Sequence, residues 1–144
     1  MQTPMHAIPV AMTLLALSGC STVLESEPRS DPDGVACEDS AGATAVWIDV
    51  NYSGSSVSTT SSECTVDPGT RITWRGPMGN PDGFRLEFDG EKPDPRAPRV
   101  PTSEYLDGRQ RIQMFANNDS GQYTYDIVTD NGGIDPVIII RNRN

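Results

Sequence analysis

The sequence predicts an all-β fold, an antiparallel Greek-key β-sandwich of seven or eight strands. Short segments in which apolar and polar residues alternate recur along the chain, as expected of strands with one face in a core and the other in solvent. Clusters of Gly, Pro, Asn and Asp separate these segments and are typical of turns. After the N-terminal apolar run, no segment carries the apolar stripe of an amphipathic helix. A single sandwich domain accounts for all three observations.

The alternation places the strands in order along the chain. They are predicted at residues 45–51, 57–62, 63–66, 71–74, 84–88, 109–116, 122–128 and 137–140. The side chains expected to face the core are Val46, Ile48, Val50, Phe84, Leu86, Phe88, Ile112 and Met114. Long loops are predicted at 76–83 and 89–101, because Gly and Pro are frequent there and interrupt strand pairing.

An uncharged apolar run at residues 7–17 ends in the tetrapeptide Leu17-Ser18-Gly19-Cys20. The run has the length of a signal-peptide core and is too short to cross a bilayer as a helix. The tetrapeptide resembles the lipobox of bacterial lipoproteins. An ordinary secretory leader, or a buried strand that ends in a cysteine, are the alternative interpretations of the same residues.

The resemblance to lipoproteins implies a location in the cell envelope. It implies a signal peptide at 1–19, cleavage before Cys20, and acyl chains such as palmitate on that cysteine. Several acyl chains hold a protein stably on a membrane, whereas one chain does not. Ser21 follows the cysteine, and the absence of Asp at this position implies the outer membrane, with the protein facing the periplasm.

Residues 20–39 are polar and contain proline. A segment with so little apolar content cannot bury enough surface to fold alone. It is therefore predicted to form a flexible acidic tether between the anchor and a domain at residues 40–144. Within it, Asp31-Pro32-Asp33-Gly34 is expected to form a turn rather than a calcium loop, because the other ligand positions of an EF-hand are missing.

The chain has three cysteines. With Cys20 assigned to the lipid, Cys37 and Cys64 remain as an even pair in an oxidising compartment and are predicted to form a disulfide. Such a bridge closes a loop of about 28 residues, worth about 3–4 kcal/mol in the loop-entropy model. A redox pair or a metal site is disfavoured, because the spacing is not C-x-x-C and no histidines accompany the cysteines.

Two segments resemble the cupredoxins. Residues 66–74 contain a Pro-Gly turn followed by an alternating strand that ends in Trp74, and residues 121–125 contain a Tyr-x-Tyr strand. The resemblance implies a cupredoxin-like sandwich scaffold. It does not extend to copper, because a blue-copper site needs two His and one Cys. The chain has a single histidine, His6, and Asp126 stands where the family has its cysteine.

Composition disfavours several classes of function. The formal net charge of −9 makes nucleic acid an unexpected partner, since phosphate binding needs a basic patch. Without a histidine after residue 19, histidine-dependent nucleophilic and metal chemistry is not expected, and no cofactor is predicted. A carboxylate-dependent carbohydrate-processing enzyme is the least favoured alternative; it would need two carboxyl groups about 5–10 Å apart in a cleft. The acids closest to one loop are Glu87, Asp89, Glu91 and Asp94, and they are expected to be solvated.

The favoured function is a membrane-anchored periplasmic lipoprotein with a non-enzymatic binding or structural domain. The candidate contacts for a periplasmic or cell-wall protein are Trp47, Met78, Arg96, Arg99 and Tyr105. Met78 and Phe115 are candidates for exposed apolar anchors, although a place in the core is expected for each. The arginines at 96, 99, 109 and 111 could form the basic side of a binding surface, or they could pair with local acids at little energetic consequence. A narrower alternative is an inhibitor or immunity lipoprotein that blocks a cell-wall hydrolase by inserting loop 76–83 or loop 89–101 into its cleft.

Overall fold

The computed structural model describes residues 31–140 of the 144-residue chain. These residues form eleven β-strands and one short 3₁₀ helix at Cys37–Asp39, with no α-helix among them. The strands are β1 (Val35–Ala36), β2 (Ala45–Ser53), β3 (Ser56–Thr59), β4 (Glu63–Val66), β5 (Arg71–Arg75), β6 (Arg85–Phe88), β7 (Glu104–Leu106), β8 (Arg109–Phe115), β9 (Gly121–Thr129), β10 (Gly132–Ile134) and β11 (Val137–Ile140).

The strands form two sheets. The first has the order β1-β2-β5-β8-β7, with β3 also paired to β2; the second has the order β10-β9-β11-β4, with β6 also paired to β9. Apolar side chains from both sheets are buried together in one core. The predicted all-β sandwich is confirmed.

Three strand pairs differ from the antiparallel expectation. β1 and β2, β2 and β5, and β4 and β11 are parallel. Parallel neighbours need a crossover connection. The chain makes such a crossover between β2 and β5. After β3 it passes to the second sheet as β4, and it then returns to the first sheet as β5, parallel to β2. Alternation along a strand is the same in both kinds of pairing, so it carries no information on strand direction.

The core matches the predicted pattern. The buried members of the predicted set are Val46, Ile48, Val50, Phe84, Leu86, Ile112 and Met114, while Phe88 is partly buried. At the centre, the Trp74 Nε1–H donates a hydrogen bond of 2.9 Å to the Tyr125 hydroxyl. The two rings meet edge to face, and Phe88 stacks on Tyr125. This contact joins the sheets and satisfies two polar groups that burial would otherwise leave unpaired.

The N-terminal segment 31–39, here called the strap, is part of the domain. β1 pairs with β2, and Asp33 is only 3% exposed. The prediction of a tether at 20–39 is therefore wrong for residues 31–39. Residues 20–30 lie outside the described residues, as do the predicted signal peptide and Cys20. Polarity indicated that the strap buries little apolar surface, but ion pairs and backbone pairing hold it instead.

The predicted turn at the start of the strap is confirmed. The Gly34 amide donates to the Asp31 carbonyl at 2.9 Å, and the Asp33 amide donates to the Asp31 carboxylate. Gly34 has φ of +99°, and a Cβ there would lie 2.0 Å from the Ala45 carbonyl oxygen. Only glycine allows this backbone to approach β2 so closely.

The predicted disulfide between Cys37 and Cys64 is confirmed, with Cα atoms 5.7 Å apart. Cys37 begins the 3₁₀ helix of the strap, and Cys64 lies on β4 in the second sheet. The bridge therefore fastens the strap, which pairs with the first sheet, to the second sheet.

The β7–β8 hairpin was not predicted. Asp107 and Gly108 both have positive φ, 52° and 82°, as in the tight two-residue turns that favour Asp-Gly. The sequence prediction begins the strand at residue 109 and overlooks this turn. β10 is also a difference, because no strand was predicted between residues 128 and 137. Loops 76–83 and 89–101 contain no strand, as predicted.

Candidate functional site

The outward face of β5 and β8 carries an unusual concentration of arginines. Ile72 and Trp74 of β5 point into the core, as do Ile112 and Met114 of β8, so the residues between them point outward. These outward residues include Arg71, Arg75, Arg109 and Arg111, which together define the arginine face.

Arg75 is the centre of this face. Its side chain is 7% exposed, and its Nε donates to Asp49 Oδ1 at 2.7 Å. Its Nη1 donates to Asp31 Oδ2 at 2.7 Å and lies 3.5 Å from Asp33 Oδ2. The guanidinium also stacks on the ring of Trp47, 3.9 Å from its centroid. Burial alone would lower the pKa of Arg75, but the hydrogen bonds with Asp49 and Asp31 raise it overall.

Two further arginines hold the strap. Arg111 Nη1 contacts both carboxylate oxygens of Asp33, at 2.6 and 2.8 Å, and Arg71 Nη2 donates to the Pro32 carbonyl. Burial alone would raise the pKa of Asp31, but hydrogen bonds from the Asp33 amide and Arg75 lower it overall. The strap is thus held by charge-assisted hydrogen bonds, most of them partly buried, which are stronger than neutral ones.

A groove adjoins the arginine face along β7 and β8. It has a volume of about 410 Å³. Arg111, Glu104 and Gln113 supply its charged and amide groups, and Leu106 and Pro101 supply apolar surface. A concave site of this size with a few convergent polar groups is the usual form of a ligand site.

Exposed apolar residues lie around the β7–β8 hairpin. Leu106 is opposite Arg109 and shares its outward face, whereas Tyr105 is opposite Gln110 and lies on the other side of β7. Met78, Tyr105 and Leu106, here called the hairpin patch, are 66%, 50% and 51% exposed. Loop 76–83 reaches the hairpin because the Gly79 amide donates to the Gly108 carbonyl at 2.7 Å. A Cβ at Gly108 would lie 3.2 Å from the Met78 methyl carbon. Loop 76–83 therefore packs against the hairpin turn.

Two of the five predicted contact residues lie at the hairpin end of the domain, on different sides of β7. Met78 and Tyr105 belong to the hairpin patch, whereas Trp47 is partly buried and covered by Arg75. Arg96 and Arg99 are exposed in loop 89–101. Arg99 lines a different hollow, beside Glu87 and Lys92.

The expectation that Met78 and Phe115 belong to the core is wrong. Met78 lies in loop 76–83, which is attached to the hairpin through the Gly79 backbone amide, and the Met78 side chain remains exposed. Phe115 is 43% exposed, because it has the outward parity of Arg109 and Arg111 on β8. Sequence reasoning considered Arg109 and Arg111 but missed Arg75, Asp31 and Asp33. The only signal in the sequence was that Arg75 follows the buried Trp74 and so alternates to the outward side of β5. The partners of Arg75 are remote in sequence and gave no signal.

The outer face of the second sheet carries acids instead. Asp126 of β9 is directly opposite Glu87 of β6, and its side chain is hydrogen-bonded to that of Asp135. This hydrogen bond, followed by burial and the nearby charge of Asp89, raises the pKa of Asp126. Within residues 31–140, no group of three or more His, Cys, Asp or Glu has an arrangement that could hold a metal ion.

The acids expected to be solvated have different surroundings. Asp94 is buried and accepts hydrogen bonds from the backbone amides of Arg96 and Phe115, so its role is to order loop 89–101. Glu87 is half-exposed and pairs with Arg85 at 2.7 Å.

Comparison with known proteins adds no family. No protein-family model matches the chain, and no curated protein matches it significantly. Within residues 31–140 there is no helix with the length and hydrophobicity needed to cross a membrane.

Proposed function

We propose that the chain is a lipid-anchored protein of the bacterial cell envelope whose β-sandwich is a non-enzymatic binding module. The observation that carries the proposal is the distribution of the cysteines. Cys37 and Cys64 form a disulfide, so Cys20 is the one cysteine of the sequence that has no cysteine partner in the chain. It stands at the end of Leu17-Ser18-Gly19-Cys20, where a lipid acceptor belongs.

The binding role is supported by the first sheet. Leu106 lines the groove and Met78 lies beside the arginine face, and each side chain is more than half exposed. Exposed apolar residues rimmed by charged groups are typical of surfaces that contact other proteins. The same end of the domain therefore offers apolar anchors and hydrogen-bonding groups to a partner.

We propose the cupredoxin likeness for the scaffold alone. It is supported by the way in which the two resembling segments meet. Residues 66–74 supply β5 with Trp74, residues 121–125 supply the start of β9 with Tyr125, and these two side chains share a hydrogen bond in the core.

The lipid anchor is tested by labelling with radioactive palmitate in a bacterial host, followed by mass spectrometry of the mature N-terminus. We expect a lipidated N-terminal Cys20. The Cys20→Ser variant should lose the label, and the Cys37→Ser variant should retain it as a matched control. An unmodified Cys20, or label that persists in Cys20→Ser, would contradict the anchor.

A second candidate, an inhibitor of a cell-wall hydrolase, is favoured by one observation. Met78 is the most exposed large hydrophobic residue of the described chain, and it projects from loop 76–83. An inhibitor of this kind should slow the hydrolysis of purified peptidoglycan by its target. The Met78→Ser variant should lose this effect, whereas Phe115→Ser, at an exposed apolar residue on β8, should keep it. Unchanged hydrolysis across a panel of peptidoglycan hydrolases would rule this candidate out.

A further inference from the structure

Arg109 differs from the rest of the arginine face in its contacts. Each of the other three arginines donates at least one hydrogen bond to a described residue, as seen for Arg71, Arg75 and Arg111. The side chain of Arg109 donates none to any residue in the described part of the chain. Its ion pair is the 3.6 Å contact between Nη1 and Asp49 Oδ1, although its side chain is only 15% exposed.

The shared acceptor makes this contact weak. Asp49 Oδ1 already accepts the 2.7 Å hydrogen bond from Arg75 Nε. The two acids of the strap are also engaged, since Asp31 pairs with Arg75 and Asp33 pairs with Arg111. A guanidinium group carries five N–H donors. When the group is largely buried, each donor that lacks an acceptor lowers the stability of the fold.

Arg109 opens into a shallow depression of about 520 Å³ at the hairpin end of the arginine face. The depression is also lined by Asp31, Arg75, Met78, Asp107 and Arg111. It therefore combines three guanidinium groups with one exposed apolar side chain. The adjoining groove shares Asp107 and Arg111 with it, so a ligand that extends from one can enter the other.

The electrostatics at Arg109 favour an added anion. Burial lowers the pKa of Arg109, and the positive charges of Arg75 and Arg111 lower it further. The opposing effects of Asp49 and Asp33 are outweighed. A negative charge placed beside Arg109 would relieve this repulsion.

We propose that the depression is a binding site for a carboxylate, which Arg109 holds through its guanidinium while Met78 contacts an apolar group next to that carboxylate. A planar carboxylate matches the geometry of a guanidinium. A monoanion is favoured over a phosphate dianion, because Asp31 and Asp107 also line the depression and repel a dianion more strongly. The carboxylate belongs either to a peptide of a partner protein or to a free small acid.

The site is tested by NMR of the arginine Nε–Hε signals in the whole chain carrying Cys20→Ser. The probes are sodium acetate, sodium 4-methylpentanoate and the peptide acetyl-Leu-Glu-amide, at constant ionic strength and pH 7. We expect each carboxylate to shift the Arg109 signal, with 4-methylpentanoate binding roughly fivefold more tightly than acetate because of its apolar contact with Met78. Tighter binding of the peptide than of 4-methylpentanoate assigns the carboxylate to a partner protein, and the reverse assigns it to a free acid.

Matched variants decide the assignment. Arg109→Gln should abolish the binding of all three probes, and Arg85→Gln, at an exposed arginine on the other sheet, should leave it unchanged. Met78→Ser should keep acetate binding and lose the preference for 4-methylpentanoate, which tests the site even if Arg109→Gln fails to fold. An equal shift with sodium chloride, tighter binding of inorganic phosphate than of acetate, or unchanged binding in folded Arg109→Gln would overturn the proposal.

The inference rests on the proposed function only in taking this end of the first sheet as the binding surface. The NMR experiment uses protein without the lipid acceptor. Its failure would therefore leave the anchor standing, and failure of the palmitate labelling would leave the carboxylate site standing.

Discussion

On the first sheet, Asp49 lies directly opposite Arg75 across β2 and β5, whereas on the second sheet Glu87 lies directly opposite Asp126 across β6 and β9. Both pairs occupy outward positions of alternating strands. The first pair is of opposite charge, largely buried, and linked to the strap. The second pair is of like charge and is accompanied by two further acids. These four residues, Glu87, Asp89, Asp126 and Asp135, are here called the acidic face.

The difference shows that outward polar positions are not equivalent. Opposite charges across a strand pair stabilise a sheet, and like charges destabilise it. On the arginine face, attraction between opposite charges holds the strap, a polar segment that could not fold by apolar burial. The acidic face gains no comparable contact, and its repulsion is reduced by a shared hydrogen bond between Asp126 and Asp135.

The largest effect is expected from removing the centre of the arginine face. Arg75→Met leaves Asp31 and Asp49 without the guanidinium that hydrogen-bonds to them, whereas the deeply buried Asp33 keeps its contacts with Arg111. Breaking a buried ion pair from one side costs about 3–5 kcal/mol, so the free energy of unfolding in urea should fall by about that amount. Arg85→Met is the matched control on the other sheet. The Arg85–Glu87 pair is exposed, and its loss should cost less than about 1 kcal/mol. Equal losses in the two variants would contradict the contrast between the faces.

The disulfide joins the two halves of the comparison, because it fastens the strap to the second sheet. The double variant Cys37→Ala/Cys64→Ala should lower the free energy of unfolding by about 3 kcal/mol through the loop-closure term. Chemical denaturation of the oxidised protein and of the variant measures the difference. A variant as stable as the parent would mean that the arginine face alone orders the strap.

Much of the fold could be predicted from the sequence. The alternation located the inward residues of β2, β6 and β8, and the even pair of cysteines that remains when Cys20 is set aside indicated the Cys37–Cys64 bridge. Alternation reports burial against a core, which is a local property, so it also placed Trp47 correctly on the outward side.

The arginine face could not be predicted in the same way. Arg75 and Asp31 are 44 residues apart, and Arg111 and Asp33 are 78 residues apart. Their contact depends on the parallel pairing of β1 with β2 and of β2 with β5, and neither pairing leaves a signal in the alternation. For the same reason the strap looked like a tether. The hairpin turn at Asp107-Gly108, in contrast, had a recognisable local signal that was overlooked.

A smaller effect of opposite sign is expected on the acidic face. Asp126→Asn removes one negative charge opposite Glu87, and the amide can still hydrogen-bond to Asp135. At pH 7 and low salt, the free energy of unfolding should rise by about 0.2–1 kcal/mol. Added salt should shrink the gain, because exposed charges are screened. Thr124→Asn, at another outward position of β9, changes no charge and should show no salt-dependent gain. A salt-independent loss of stability in Asp126→Asn would show that the acidic face is not repulsive.

The smallest effects should appear in the pH dependence of stability, where the two faces act in opposite directions. The pKa of Asp126 is raised above the ordinary value of 3.8, so the folded state binds this proton more tightly than the unfolded state. Stability from this face should therefore increase as the pH falls from neutrality through the raised pKa. The pKa of Asp31 is lowered below 3.8, so its contribution is complete above that pH and is lost as the pH falls through the lowered pKa.

Thermal midpoints at constant ionic strength should therefore rise slightly on mild acidification and then fall below about pH 4. Asp126→Asn should remove the rise and keep the fall, whereas Asp31→Asn should keep the rise and weaken the fall. If Asp126→Asn instead removed the fall, it would be wrong to assign the rise in thermal midpoint to the acidic face and the fall to the arginine face. The rise and the fall are the two limbs of the pH profile. Because each variant removes one limb and leaves the other as an internal control, the profile separates repulsion on the second sheet from ion pairing on the first.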